Sequence, residues 1–305
     1  FERILGSIML NKNYWKVKKV LITGGKGFFG THLVKKLKEL NPKFIRIADT
    51  DKFDLRKYED CLRATKGIDI VFNLAAKVGG IGFNKEFPAD LFDDNILIGT
   101  FMMKAAKKNN VKKYVSLGTI CAYPKFTPIP FIEENLWNGY PEETNAPYGL
   151  AKKMQLVQSI AYREQYGFNS IFLLPVNLYG PGDNFDSKSS HVIPALIKKF
   201  LEAKEKNEKK VVVWGSGKPT REFLYVEDAA KGILLAFEIY DKTEAVNLGS
   251  GFEISIKDLA GLIKKITGFK GKLIWDRTKP DGQPKRKLDV SMAQKEFGFT
   301  AKINF

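Results

Sequence analysis

The sequence predicts an α/β fold: a doubly wound, mostly parallel sheet of the Rossmann type with a second, smaller, interleaved substrate domain. Three observations predict it. Short apolar segments alternate with segments of helical period through the first half of the chain, which implies right-handed crossovers between parallel strands. A glycine-rich turn follows the first apolar segment. After about residue 179 the alternation gives way to loops, one isolated strand and further helices.

The individual elements follow from these patterns in chain order. In the first half, strands are predicted at 19–23, 44–48, 68–74, 113–117 and 170–174. Helices are predicted between them at 32–40, 55–65, 95–109 and 150–166. In the second half, the pattern predicts a strand at 211–214 and helices at 192–203 and 256–267.

The change of pattern predicts how the domains divide the chain. Residues 17–178 are expected to form a dinucleotide-binding Rossmann domain, to which residues 222–248 return. Residues 179–221 and 249–305 are expected to form the substrate-binding domain, with ligands in the crevice beyond the carboxyl ends of the strands. Residues 1–16 lack the features of a signal peptide, and we interpret them as a leader or a cloning remnant outside the fold.

Composition and charge exclude several classes of function. The formal net charge is +16, but the lysines occur as scattered pairs and there is no arginine-rich tract, so we expect no nucleic-acid partner. An anionic small molecule suits the same charge. No apolar segment reaches the roughly 18 residues that would cross a membrane. The two cysteines, Cys61 and Cys121, are too far apart for a metal motif, and they fit a reducing cytoplasm.

The glycine-rich turn predicts a phosphate-binding loop. Gly24, Gly27 and Gly30 have G-x-x-G-x-x-G spacing directly after a predicted strand and at the start of a helix. Glycines at these positions allow the backbone to approach a pyrophosphate, which then meets the helix N-terminus. A glycine-rich turn without a ligand is the alternative interpretation.

The end of the second strand bears on the choice of dinucleotide. Asp49 lies 19 residues beyond Gly30, where a carboxylate accepts hydrogen bonds from the ribose of NAD and repels the 2′-phosphate of NADP. However, Lys52, Arg56 and Lys57 follow closely and could pair with a phosphate. The residues alone leave both NAD(H) and NADP(H) open.

Tyr148 and Lys152 stand four positions apart at the start of a predicted helix, and therefore share one of its faces. A lysine ammonium beside a phenol favours the phenolate, so we expect the pKa of Tyr148 to be lowered. The phenol can then exchange the proton that accompanies hydride transfer at a carbonyl.

Longer motifs carry a resemblance to a known family. The glycine loop, the segment N-L-A-A-K-V-G-G-I at 73–81 and the Tyr148–Lys152 pair resemble the extended short-chain dehydrogenase/reductases. The segments C-A-Y-P-K, N-L-Y-G-P-G-D-N-F, S-H-V-I-P-A-L and V-V-V-W-G-S-G-K-P-T-R-E-F-L resemble the GDP-L-fucose synthases among them. The resemblance covers residues 18–299, and the chain is expected to stop one helix before the family's usual end.

The resemblance implies C3/C5 epimerisation and NAD(P)H-dependent C4 reduction of GDP-4-keto-6-deoxy-D-mannose to GDP-L-fucose. It assigns Thr119, in place of a serine, to the catalytic group of Tyr148 and Lys152, and it assigns Cys121 and His191 to proton exchange beside the ketone. Read from its residue type alone, Cys121 would instead be a small buried hydrophobe. The remaining cofactor-binding residues that the resemblance implies are Phe28, Phe29, Asp54, Leu74, Ala75, Ala76, Pro175, Asn177 and Leu178.

The GDP-sugar is the partner that the resemblance implies, with NADPH as the family's usual reductant and a homodimer as its usual assembly. Apolar stripes on the helices at 95–109 and 150–166 could pair across a two-fold axis or face their own sheet. The expected substrate-binding residues are Asn177, Lys199, Trp214, Arg221, Lys285 and Arg286. No metal site is expected.

Two other functions compete with this interpretation. A relative that acts on another GDP-4-keto sugar, of the colitose or heptose type, or one that only epimerises or only reduces, would carry similar motifs. A catalytically silent dinucleotide sensor could be built on the same fold, because a fold does not imply a function.

Overall fold

The computed structural model describes residues 10–187, 189–279 and 281–305. Over these residues the strands are β1 (Lys19–Thr23), β2 (Phe44–Ala48), β3 (Ile70–Asn73), β4 (Lys113–Leu117), β5 (Ser170–Pro175), β6 (Asn177–Tyr179), β7 (Lys210–Trp214), β8 (Thr220–Tyr225), β9 (Val246–Leu248), β10 (Glu253–Ser255) and β11 (Lys272–Asp276). The α-helices are α1 (Lys12–Trp15), α2 (Phe28–Glu39), α3 (Tyr58–Thr65), α4 (Ile81–Glu86), α5 (Pro88–Lys108), α6 (Ala146–Tyr166), α7 (Val192–Glu205), α8 (Val226–Ile239), α9 (Ile256–Thr267) and α10 (Ser291–Phe297).

Six parallel strands form the main sheet in the order β2-β1-β3-β4-β5-β9. Helices α2 and α8 contact each other and cover one face, whereas α3, α5 and α6 cover the other. Strand β3 is buried along its whole length, as expected for a central strand covered on both faces. The predicted fold class, a doubly wound parallel sheet, is confirmed.

A smaller part of the structure is built around two short sheets. Strands β6 and β8 are parallel and β10 is antiparallel to β8, while β7 and β11 form a parallel pair. Helices α7 and α9 contact each other over a separate apolar cluster. That cluster includes Ile193, Phe200, Val213, Leu259 and Phe269.

The chain passes between the two parts more than once. Strand β9 and helix α8 join the main sheet and its helix layer, whereas β8, which precedes them, pairs in the small three-stranded sheet. Helix α10 lies against α8 and β9. The division into 17–178 with 222–248 and 179–221 with 249–305 remains a prediction.

The expectation for residues 1–16 is wrong for those that the structure describes. Residues 1–9 lie outside the described residues. Trp15 is fully buried, its ring stacks on Phe72, and its indole Nε1 donates to Glu238 at 2.6 Å. Asn11 accepts hydrogen bonds from the first backbone amides of α1 and so caps it. An apolar indole of this size gains too much from burial to remain outside the core.

Several helices begin earlier than their apolar period predicts. Helix α5 starts at Pro88 and α6 at Ala146 followed by Pro147, and proline is favoured in the first helical turn because that turn needs no amide donor. No helix among the described residues is both long enough and apolar enough to span a lipid bilayer.

Glu222 of β8 holds the chain segments that follow β9 and β11 through a buried carboxylate. Its side chain accepts from the amides of Leu288 at 2.7 Å and Gly251 at 2.8 Å, and it is 0% exposed. Its backbone amide donates to the carbonyl of Arg286, and its carbonyl accepts from the side chain of Asn177.

We expect Glu222→Gln to destabilise the fold by about 1–3 kcal/mol. The substitution replaces one of the two accepting oxygens by an NH₂ group, which would then face a buried backbone amide that also donates. Urea unfolding with and without the substitution measures the loss. The matched control is Glu205→Gln, at an exposed position at the end of α7, and it should leave the midpoint unchanged. Equal stability of the Glu222 variant and the wild type would contradict this account.

Candidate active site

A cleft of about 1480 Å³ opens at the carboxyl ends of β1, β3, β4 and β5 and extends to the smaller part of the structure. Polar side chains from many separate segments meet there because the carboxyl ends of parallel strands lie at one edge of the sheet. The cleft is lined by every predicted site residue except Lys285, which is exposed elsewhere. The adjacent Arg286 is 8% exposed and lies in the cleft wall.

The glycine loop has the geometry that a pyrophosphate requires. Gly24 has a φ of 66°, which favours glycine, and α2 begins at Phe28 directly behind the loop. A Cβ on Gly30 would collide with the carbonyl oxygen of Gly24. The absence of side chains therefore brings backbone and helix N-terminus within reach of a phosphate, and the loop fits a dinucleotide. Phe28 and Phe29 line the cleft beside it.

Charged side chains cluster at the end of β2. Asp49, whose side chain is 13% exposed, forms an ion pair with Lys26 of the glycine loop. Arg56 donates to Asp54 at 2.8 Å and to Asp94 at 3.3 Å. Of the three cations proposed to hold a 2′-phosphate, only Arg56 lines the cleft, and two carboxylates already pair with it.

Backbone segments form the middle of the cleft wall. The hydroxyl of Thr23 accepts from the amide of Ala75 at 2.9 Å, which fixes the segment Leu74–Ala76 against β1. Pro175 at the end of β5, and Asn177 and Leu178 of β6, also line the cleft. The amide group of Asn177 donates to a backbone carbonyl of β8 at 3.0 Å, which adds a side-chain bond between β6 and β8 of the small three-stranded sheet.

Tyr148 and Lys152 lie one turn apart on α6, and the phenol hydrogen-bonds to Thr119. Burial raises the pKa of Tyr148 well above its ordinary value; the nearby Cys121 adds to the effect and the hydrogen bond from Thr119 opposes it. The expected lowering of the phenol pKa by Lys152 is therefore not found, because burial dominates. Burial lowers the pKa of Lys152 to about 8, and the side chain is 2% exposed.

Cys121 lies in a 3-10 turn, Ile120–Ala122, directly after β4. Its Sγ is 3.4 Å from Nη1 of Arg286 and 3.7 Å from Oδ1 of Asn145. Its amide donates to the hydroxyl of Thr119 at 3.2 Å. Cys121 is only partly buried, whereas Cys61 is fully buried in the core.

His191 immediately precedes α7 and reaches the cleft from the smaller part of the structure. The ring is accessible to the water in the cleft but crowded by its walls, and this partial desolvation lowers its pKa. The charge of Asp183 opposes that effect. Cys121, Tyr148 and His191 thus share one cleft.

Basic residues line the far end of the cleft. Burial, followed by the charge of Arg286, lowers the pKa of Arg221 to about 10. Trp214 is 61% exposed, and the ammonium groups of Lys199 and Lys279 lie 5.7 Å and 5.6 Å from its ring. Trp214 is thus an accessible aromatic surface beside positive charge and is not a core residue.

Among the polar side chains of the cleft that the sequence interpretation missed are Lys26, Asn84 and Asn145. Lys26 lies inside the glycine loop and Asn145 lies three residues before Tyr148, so both are close in sequence to predicted site residues. Asn84 lies on the short helix α4, and its place in the cleft depends on a contact between distant segments that no local pattern encodes.

Comparison with known proteins agrees with this geometry. Residues 20–249 match the NAD dependent epimerase/dehydratase family. The chain is 43% identical to a protein named probable GDP-L-fucose synthase 1 from Oryza sativa subsp. japonica, over 93% of this chain and 88% of that one. It is 33% identical to a GDP-L-colitose synthase from Yersinia pseudotuberculosis, over 94% of each chain.

Solved structures of similar proteins share the whole architecture. A GDP-mannoheptose C4 reductase from Campylobacter jejuni with NADP bound has a TM-score of 0.85 at 30% identity, over 95% of each chain. A GDP-L-fucose synthetase from Naegleria fowleri bound to NADP has a TM-score of 0.84 at 29% identity, over 94% of this chain and 90% of that one. The chain therefore belongs to the NAD dependent epimerase/dehydratase family.

Proposed function

We propose that the protein epimerises GDP-4-keto-6-deoxy-D-mannose at C3 and C5 and reduces it at C4, using NAD(P)H, to give GDP-L-fucose. One observation carries the proposal: Cys121, His191, Tyr148 and Lys152 all line one cleft that also contains the glycine loop. Relatives named as GDP-L-fucose synthases support the choice of sugar.

The epimerisation uses the acidity that a ketone gives to its neighbouring carbons, C3 and C5. Inverting each carbon requires a base on one face of the sugar and an acid on the other. In our proposal Cys121, with a guanidinium 3.4 Å from its sulfur, removes the proton as a thiolate. His191 delivers a proton from the opposite face: burial lowers the pKa of its ring and so favours release of the proton, whereas the charge of Asp183 favours the protonated ring. Tyr148 and Thr119 stabilise the enolate oxygen.

The reduction follows at C4, where bound NAD(P)H supplies the hydride. Because burial raises its pKa, Tyr148 holds its proton at neutral pH and is ready to donate it to the carbonyl oxygen. The Lys152 ammonium then stabilises the phenolate that forms. Thr119, whose hydroxyl bonds to the phenol, holds the ring in line.

The GDP part of the substrate occupies the basic end of the cleft in this proposal. Arg221 and Arg286 pair with the diphosphate, and Lys199 adds a third positive charge. Trp214 stacks on a ring of the ligand. Lys285, which does not line the cleft, is left without a role in substrate binding.

We further propose NADP(H) as the preferred dinucleotide, since similar structures contain bound NADP. Lys26 would exchange its partner Asp49 for the 2′-phosphate. NAD(H) is the alternative, favoured by the Asp49 carboxylate itself.

We also propose that the protein is a homodimer and that it works in a reducing cytoplasm. Met154 and Val157 of the predicted α6 stripe are 37% and 44% exposed, which suits contact with a second copy. Met102 and Ala105 of the α5 stripe are instead buried within the chain.

The first test follows deuterium during turnover of GDP-4-keto-6-deoxy-D-mannose in deuterated water with either dinucleotide. We expect label at C3 and C5 together with oxidation of the dinucleotide. Oxidation without label would indicate a simple reductase, and neither event would indicate a silent sensor. The colitose- and heptose-type alternatives are tested by offering their GDP-4-keto sugars in the same assay.

Cys121→Ser should reduce deuterium incorporation at least ~100-fold, because proton transfer by a positioned group contributes that much or more. Reduction of an already epimerised ketone should stay within about ten-fold of wild type. Cys61→Ser is the matched control: Cys61 is buried away from the cleft and donates to the carbonyl of Leu55, as serine can. Equal losses of exchange and reduction would contradict the role of Cys121 as base.

The reduction step should weaken as pH rises through about 8, because Lys152 loses its proton there and can no longer stabilise the phenolate. The measurement is kcat/KM for the epimerised ketone between about pH 6 and about pH 10, which reports the free enzyme. Lys152→Arg keeps its charge throughout this range and should lose the basic limb, although at a lower rate. A profile that is flat for the wild type would contradict the assignment.

Asp49→Asn should tighten NADPH about ten-fold and change NADH by less than about two-fold, since it removes one negative charge beside the 2′-phosphate and frees Lys26. Fluorescence titration with each dinucleotide, without sugar, measures both affinities. The control is Asp51→Asn at a nearby exposed position. Unchanged discrimination in the Asp49 variant would show that this carboxylate lies away from the ribose.

A further inference from the structure

A buried chain of side-chain amides leads from the Cys121 sulfur to the cleft wall. Oδ1 of Asn145 is 3.7 Å from that sulfur and accepts from Nδ2 of Asn84 at 3.1 Å. Asn145 is 9% exposed and Asn84 is 5% exposed, yet both line the cleft. Asn145 directly precedes α6, so the chain links the thiol to the helix that carries Tyr148.

The hydrogen bonds fix which way each amide points. The NH₂ group of Asn145 donates to the carboxylate of Glu142, which cannot donate in return while ionised. Its oxygen must therefore face the thiol and Asn84. The NH₂ group of Asn84 is used on that oxygen, which leaves Oδ1 of Asn84 buried and without a hydrogen-bond partner in the described part of the chain.

An unpartnered buried carbonyl oxygen carries a free-energy cost of about 1–3 kcal/mol. Asn84 lines the cleft and its Oδ1 is buried in the ligand-free protein, so a shift of this side chain on binding would present the oxygen to a hydroxyl group of a ligand and remove that cost. Sugars supply such donors. A carbonyl acceptor at this place thus suits a hydroxylated ligand better than an apolar one.

The sulfur itself has two neighbours of opposite character. Arg286 can only donate, and it stabilises the thiolate, whereas Oδ1 of Asn145 can only accept, and it stabilises the thiol. A group that takes a proton and later returns it needs support in both forms. Because the sulfur lies between these two residues, its lone pair points toward Arg286 and its S–H bond points toward Oδ1 of Asn145.

We propose that Asn145 is a positioning residue for Cys121 and that Oδ1 of Asn84 accepts a hydroxyl of the bound sugar, so that substrate docking and thiol orientation act through one chain of amides. The Asn84 part rests on the proposed function. The Asn145 part does not, because it concerns the thiol in the free enzyme. A purely structural link between α4 and α6 is the competing explanation.

The test compares Asn145→Ala and Asn84→Ala with a control, Asn138→Ala, whose side chain is exposed and bonds to Asn135 alone among the residues that the structure describes. The first readout is the rate at which iodoacetamide alkylates Cys121 without substrate, followed by peptide mass spectrometry. Cys61, at 0% exposure, provides an unreactive internal reference. The second readout is deuterium exchange and reduction with GDP-4-keto-6-deoxy-D-mannose. Thermal unfolding is recorded for every variant.

For Asn145→Ala we expect alkylation to rise at least about three-fold, because the thiol is released, while exchange falls about ten-fold and reduction changes by less than about two-fold. For Asn84→Ala we expect KM for the sugar to rise about five-fold or more with little change in kcat for reduction, because a ground-state contact is lost.

The proposal would be overturned if Asn145→Ala showed alkylation and exchange rates equal to those of the wild type. It would also be overturned if this variant lost exchange and reduction equally and had a lower melting temperature. An unchanged KM in Asn84→Ala would overturn the sugar contact. If the wild type itself does not turn over the sugar, the proposed function and the Asn84 contact both fail, while the alkylation rates still decide the role of Asn145.

Discussion

The buried carboxylate of Glu222 is the interaction on which the cleft depends. Through its side chain and backbone it bonds to three segments, which contain Asn177, Gly251 and the stretch from Arg286 to Leu288. These bonds hold the returning C-terminal segment beside β8. Arg286 consequently reaches the sulfur of Cys121, which lies in the turn after β4 of the main sheet. Glu222 thus keeps Arg286, at the charged end of the cleft, beside Cys121 at its reactive end.

Burial then sets the protonation states that the proposed chemistry requires. It raises the pKa of Tyr148 and lowers those of Lys152 and His191. A phenol that keeps its proton, a lysine with a pKa of about 8 and an imidazole with a lowered pKa are suited to passing protons rather than to holding fixed charges.

Much of this arrangement could be predicted from the sequence, because its signals are local. The glycine loop and the Tyr148–Lys152 pair lie within short motifs whose spacing reports their geometry. What the sequence interpretation got wrong or missed concerns contacts between residues that are far apart in the sequence. Trp15 is buried against residues more than fifty positions away, and the meeting of Asn84 with Asn145 joins separate elements. The predicted lowering of the Tyr148 pKa was wrong for a related reason. The spacing indicates a neighbouring ammonium, but the degree of burial depends on the complete fold.

The central claim is that a thiol and an imidazole face opposite sides of one sugar whose ketone lies at the phenol. A crystal structure of the Cys121→Ser variant with GDP-4-keto-6-deoxy-D-mannose and a dinucleotide tests it most directly. The account predicts the C4 oxygen within hydrogen-bond distance of Tyr148 and Thr119, with the side chains of residues 121 and 191 on opposite faces of the ring. Both side chains on one face, or a sugar bound away from Tyr148, would contradict it.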